Sequence, residues 1–164
     1  MKILMMVSIS FSLLLLVSWN KGLSSAKTTC YQNADTIFPK GARVTNQNFK
    51  GEVYVQSLIQ RDSLNETEVG NVTFAAGARS NWHLHPAGQI LLVTEGVGYY
   101  QEKGSPKKIL RKGDAVKCPP NVAHWHGASK DSGFIQLAIT GRSNGPTVWL
   151  NEVSEEEYNS EVKP

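Results

Sequence analysis

All four histidines of this 164-residue chain lie in two short segments, Trp82-His83-Leu84-His85-Pro86 and His124-Trp125-His126. On a β-strand, residues two apart point to the same face, so each His-x-His pair can project both rings into one interior. Gln89 has the same parity as His83 and His85 and joins them if the strand is roughly continuous. One such pair is more often packing or surface than metal. Two pairs that hold every histidine of the chain, framed by glycines and prolines, point to a metal ion. Imidazole is the commonest borderline ligand for first-row metals, and an amide oxygen is a weaker, harder supplement. Three imidazoles and one oxygen leave part of an octahedral shell open, as a catalytic site needs and a closed structural site does not. Such a site accepts manganese, iron, nickel or zinc, and affinity order alone does not choose among them.

The surrounding sequence reads as strands. Val53-Tyr54-Val55, Val72-Thr73-Phe74, Ile90 to Val93, Gly98 to Tyr100 and Phe134 to Ile139 are β-branched or aromatic segments of strand length. Turn signals separate them at Ala76-Gly77, Glu95-Gly96, Lys103-Gly104-Ser105-Pro106, Lys112-Gly113-Asp114 and Ser143-Asn144-Gly145-Pro146. Short strands with frequent turns argue for an antiparallel sandwich or barrel. One short helix is expected near the end, where Ser154-Glu155-Glu156-Glu157 has the form of a capping box.

The first residues differ in kind. A positive start at Lys2, an apolar run from Ile3 to Val17 and the small residues Ser24-Ser25-Ala26 have the order of a cleaved secretory signal. The run is short of the roughly 18–20 residues of a spanning helix, so no stable membrane insertion is expected after cleavage. Residues 1–26 are therefore read as a signal, 27–50 as a leader, 51–158 as one domain and 159–164 as a tail, in a secreted or periplasmic protein. Export would permit a disulfide, but pairing of Cys30 with Cys118 is not expected. The basic excess between Lys103 and Lys117 reads as a solvated hairpin face. It lacks the interleaved aromatics of a nucleic-acid platform, so no nucleic acid is expected. The sequons at Asn65 and Asn71 read as chance.

Gly77, five residues, His83-x-His85, three residues, Gln89, six residues and Gly96 resemble the first cupin motif. Gly113, five residues, Pro119-x-Asn121, two residues and His124 resemble the second. The resemblance implies an all-β fold, the cupin double-stranded β-helix or jelly-roll barrel, with the metal between its sheets. It also implies ligand roles for His83, His85, Gln89 and His124. Gln89 stands where most cupins carry glutamate, and Ala128 where the second motif often ends in asparagine. With glutamine the site keeps the full charge of the ion, which favours Lewis-acid chemistry over higher oxidation states. That tilts the reading from dioxygenase toward redox-neutral lyase, isomerase or hydration chemistry.

Between about Gly51 and Tyr158 the chain is similar to the small bacterial cupins that include manganese-dependent hydroxynitrile lyases. The likeness rests on Trp82-His83-x-His85-Pro86-x-Gly88-Gln89, Val93-Thr94-Glu95-Gly96, His124-Trp125-His126-Gly127-Ala128 and Val153-Ser154-Glu155-Glu156-Glu157-Tyr158. It implies manganese, with iron, nickel or zinc as alternatives, and a cyanohydrin-like small-molecule substrate. His126, spare as a ligand, would be general acid or base. The same likeness implies that Val72 and Thr140 line the pocket, with Thr140 able to donate a hydrogen bond. Arg79, just before the first pair, is a candidate to orient a carboxylate, or else to pair with an acid such as Asp114. Trp82 and Trp125 alternate with the ligands and are expected to pack on the opposite face. A sugar-tautomerising cupin and a non-catalytic binding cupin are the competing readings. A homodimer is expected, since small barrels expose edges and faces that pairing can cover.

Overall fold

The computed structural model describes residues 36–162. The signal region, Cys30 and the leader up to residue 35 lie outside the described residues. Twelve strands and one helix follow in order: β1 Ala42–Arg43, β2 Phe49–Lys50, β3 Val53–Ile59, β4 Thr67–Phe74, β5 Arg79–Ser80, β6 His83–Leu84, β7 Gln89–Glu102, β8 Lys108–Arg111, β9 Ala115–Cys118, β10 His124–Ala128, β11 Phe134–Gly141, β12 Val148–Trp149 and α1 Glu155–Asn159. All pairings are antiparallel. One sheet runs β1-β3-β4-β11-β7-β9, and the other places β10 between β7 and the short strands β5 and β6, with β8 on the outer side of β7.

The two sheets share β7. Its first half pairs with β11 and β9, and its second half with β10 and β8. The Glu95-Gly96 signal therefore marks a bend within one strand, and the two strands expected on either side of it are continuous. Gly96 has φ 78°, and a Cβ built on it would lie 1.9 Å from the Gly133 carbonyl oxygen. No L side chain combines that conformation with that approach, so the corner requires glycine.

Alternation along β7 separates the two faces. Gln89, Leu91 and Val93 are buried, while Ile90 and Leu92 are exposed. Leu91 and Val93 pack with Val53, Val72, Phe74, Tyr100, Leu110 and Phe134 between the sheets. In β10 every residue is buried, because both of its faces are covered. His124, His126 and Ala128 face the interior, while Trp125 packs outward with Trp82, Val153 and Tyr158. The outer cover comes from the chain end. Ser154 caps α1 by accepting from the Glu157 amide at 3.0 Å, and the Glu157 carboxylate accepts from the Ser154 amide at 2.9 Å, the reciprocal pattern of a capping box. Burial of Asn71, whose side-chain amide donates to the Pro39 carbonyl, leaves that sequon inaccessible in the fold.

Candidate metal centre

The barrel brings three of the four histidines to one point. Across the β10–β6 pairing His124 lies opposite His83, and the tight turn after β6 returns His85 beside them. Their ring centroids are 4.4 Å (His83–His124), 5.0 Å (His83–His85) and 5.4 Å (His85–His124) apart. One nitrogen from each lies within 4.8 Å of the others. Gln89 also faces inward, but not by continuing the strand of the first pair. Strand β6 ends at Leu84, the chain turns with a bond from the Gly88 amide to the His85 carbonyl (3.0 Å), and β7 starts at Gln89. Gln89 donates through Nε2 to Thr140 Oγ1 at 2.9 Å. Thr140 accepts in this bond and keeps its own hydroxyl proton to donate, and the bond orients the Gln89 amide.

The outer nitrogen of each ring shows what the inner one is for. His83 Nδ1 lies 2.9 Å from the Asn81 carbonyl oxygen and His124 Nδ1 lies 2.9 Å from that of Val122. A carbonyl oxygen can only accept, so both rings carry their proton on Nδ1 and present a bare Nε2. His85 Nδ1 is 3.1 Å from Thr147 Oγ1. The Nε2 atoms of His85, His124 and His126 are buried and, among the described residues, have no hydrogen-bond partner. Buried polar atoms are rarely left unpaired. Burial is the first cause that lowers the pKa of all four imidazoles, of His85 to about 3, so they are neutral near pH 7. Neutral rings with converging, unsatisfied nitrogens are what a divalent metal needs, and the three-His group can hold one.

His126 stands beside this group, its centroid 5.2 Å from His83 and 6.1 Å from His124. Its Nδ1 lies 2.9 Å from Nε2 of Gln136, a fully buried residue of β11, and Phe74 packs edge-on against it at 5.7 Å. Gln136 had no signal in the linear sequence. It reaches His126 only because β11 and β10 flank the same strand, β7.

A cavity of about 500 Å³ opens onto the site, lined by His83, His85, Gln89 and His126 with Val55, Val72, Ala138, Thr140 and Trp149, and with Arg61, Glu68 and Arg142. Val72 and Thr140 are among its lining residues. Arg79 is not. It is 3 % exposed and points the other way, donating to the Val153 carbonyl oxygen (3.1 Å) and Glu155 Oε1 (2.8 Å) over the Tyr158 ring. Its partner is Glu155 rather than Asp114, which closes its own turn on the Arg111 amide. Trp82 and Trp125 lie on that same outer side.

Residues 70–139 match the cupin domain family. The chain is 39 % identical over 111 residues, 67 % of its length and 85 % of the relative's, to an (R)-mandelonitrile lyase of Granulicella tundricola. This chain is a cupin. Among solved structures, this cupin is similar to a cupin-like protein of Thermotoga maritima, with a TM-score of 0.72 and 47 % identity over 76 % of this chain and 95 % of that one. A more distant likeness, to the DMSP lyase DddQ of Ruegeria pomeroyi, has a TM-score of 0.54 at 23 % identity over 63 % of this chain and 54 % of that one, and speaks to the fold alone.

Proposed function

We propose that this cupin is a metal-dependent, redox-neutral lyase that cleaves or forms a carbon–carbon bond beside a small substrate's hydroxyl or carbonyl group, in the manner of a hydroxynitrile lyase. The observation that carries the reading is the pairing of a three-imidazole group with a fourth, buried imidazole that the group does not need. His83, His85, Gln89 and His124 would hold the ion, manganese first. When bound, the metal supplies Lewis acidity toward a substrate oxygen.

His126 does the proton work. With Nδ1 protonated and Gln136 turned to accept through its oxygen, Nε2 is a base. With Gln136 donating instead, Nε2 carries the proton. An amide can serve both tautomers, and the assignment of its two ends rests on the hydrogen-bond pattern. In the cleavage direction His126 Nε2 takes the hydroxyl proton, the carbon–nitrile bond breaks, and its electrons leave with cyanide. His126 then returns the proton to cyanide, so that aldehyde and hydrogen cyanide form with no change of oxidation state. Val72, Ala138 and Trp149 supply the apolar wall that excludes water from these transfers.

The test is metal content followed by turnover. Protein purified without chelator or histidine tag should carry about one manganese or iron per chain and release benzaldehyde from mandelonitrile. If no metal binds even after reconstitution, the lyase reading fails and a binding cupin takes its place.

A further inference from the structure

The charged groups that line the cavity are all at its mouth, and they do not balance. Arg142 donates from Nε to Glu68 Oε2 at 2.7 Å and from Nη1 to Thr147 Oγ1 at 2.7 Å. Arg61 reaches the other oxygen of the same carboxylate, but at 3.9 Å and from a side chain 57 % exposed. Two guanidinium groups therefore share one carboxylate, and no other acid lines the cavity. The same three residues also line a second cleft with Gly145, Pro146, Thr147 and Trp149. Among the described residues no hydrogen bond engages Arg142 Nη2, and Arg142 stands only two hydrogen bonds from His85, through Thr147. Beyond this rim the lining is uncharged, and the ligand set proposed above is neutral, so it adds no negative charge of its own.

We propose that Arg142 and Arg61 receive the carboxylate of a small hydroxy- or keto-acid substrate, leaving its hydroxyl or carbonyl oxygen to the histidines deeper in. This rests on the lyase reading for the chemistry at the histidines, and adds a carboxylate to the hydroxyl- or carbonyl-bearing substrate proposed there. A guanidinium offers paired N–H donors that match a carboxylate, and Arg142 and Arg61 both have donors to spare. Glu68 holds Arg142 in place and competes with the ligand for it.

Calorimetric titration of the purified protein with mandelate and with its neutral methyl ester tests this. The two probes share a ring, a hydroxyl and a stereocentre. Mandelate should bind about tenfold or more tightly than the ester, as charge-assisted hydrogen bonds are roughly twice as strong as neutral ones. Arg61→Gln should shrink that preference several-fold, and Glu68→Gln should enlarge it, an opposite sign that general damage would not give. Equal binding of the two probes would overturn the proposal. So would a preference that both variants leave unchanged, since the carboxylate would then be read by a bound metal. Mandelonitrile cleavage is measured apart from these titrations. Its absence beside an arginine-dependent preference would remove the lyase and keep the carboxylate site, and the converse result would do the reverse.

Discussion

His83 opens a two-residue strand and His85 follows it at the start of a turn, while His124 and His126 lie within the five-residue β10. In the first pair both Nδ1 atoms face oxygens, the Asn81 carbonyl and the Thr147 hydroxyl. In the second pair only His124 does, on the Val122 carbonyl; His126 faces the Gln136 amide. The spacing His-x-His delivers two rings to the interior in both places. On the proposed function, the partner of the outer nitrogen would sort a ligand from a proton carrier. A carbonyl fixes one tautomer, as a metal ligand requires, whereas an amide accommodates either, as a group that gives and takes a proton requires.

The largest expected effect breaks the second pair in two. His124→Ala should weaken metal binding by more than about a hundredfold, measured by metal content after dialysis, with circular dichroism confirming the fold. His126→Ala should retain the metal and lower turnover by about 10²–10⁴-fold, the usual contribution of a positioned acid or base. Should His126→Ala also strip the metal, the contrast within the pair is wrong.

A smaller effect sharpens the contrast within the first pair. The Thr147 hydroxyl already receives Arg142, so it is a less constrained partner than a backbone carbonyl. Thr147→Val should weaken metal binding by about 10–100-fold and leave the barrel intact. An unaltered affinity would mean that His85 needs no outer partner. Gln136→Leu should lower turnover by about tenfold with metal content unchanged, and should narrow the pH range of activity as His126 loses support for one tautomer.

The smallest effect concerns the metal-free protein. Burial holds the pKa of all four imidazoles below the ordinary value, His85 at about 3. Once unfolded, each returns to about 6.5 and binds a proton that the fold refuses. Stability is therefore full above about 6.5 and falls as pH drops from there toward the folded values. Chelator-treated protein should melt several degrees lower at about pH 5 than at about pH 7.5. A flat profile would mean that the rings take up protons in the fold as readily as in the unfolded chain.

The three-His group was legible in the sequence because each member sits in a short motif whose parity or turn chemistry decides its direction. The capping box of α1 was legible for the same reason, since all of its partners are local. Arg79 pairs with an acid, one of its two expected roles, but which acid was not legible, because nearness along the chain is not nearness in space. β5 and β6 are separate two-residue strands with Asn81-Trp82 between them, and the break lets Arg79 point outward while His83 points inward. Gln136, Thr147 and Arg142 could not be found at all. Each meets its histidine, or the partner of one, from a segment far along the chain, and nothing in a polar residue on a strand or loop announces a partner that distant in sequence.

The bend at Gly96 has a mechanical consequence. Because one strand belongs to both sheets, the Gln89 end and the Glu102 end, which lies opposite His124, are two ends of a single stiff lever. Neither sheet can peel away without dragging β7 from the other. The barrel should therefore open as one unit, with amide hydrogen exchange along β7 among the slowest in the molecule and matched on both sides of the bend.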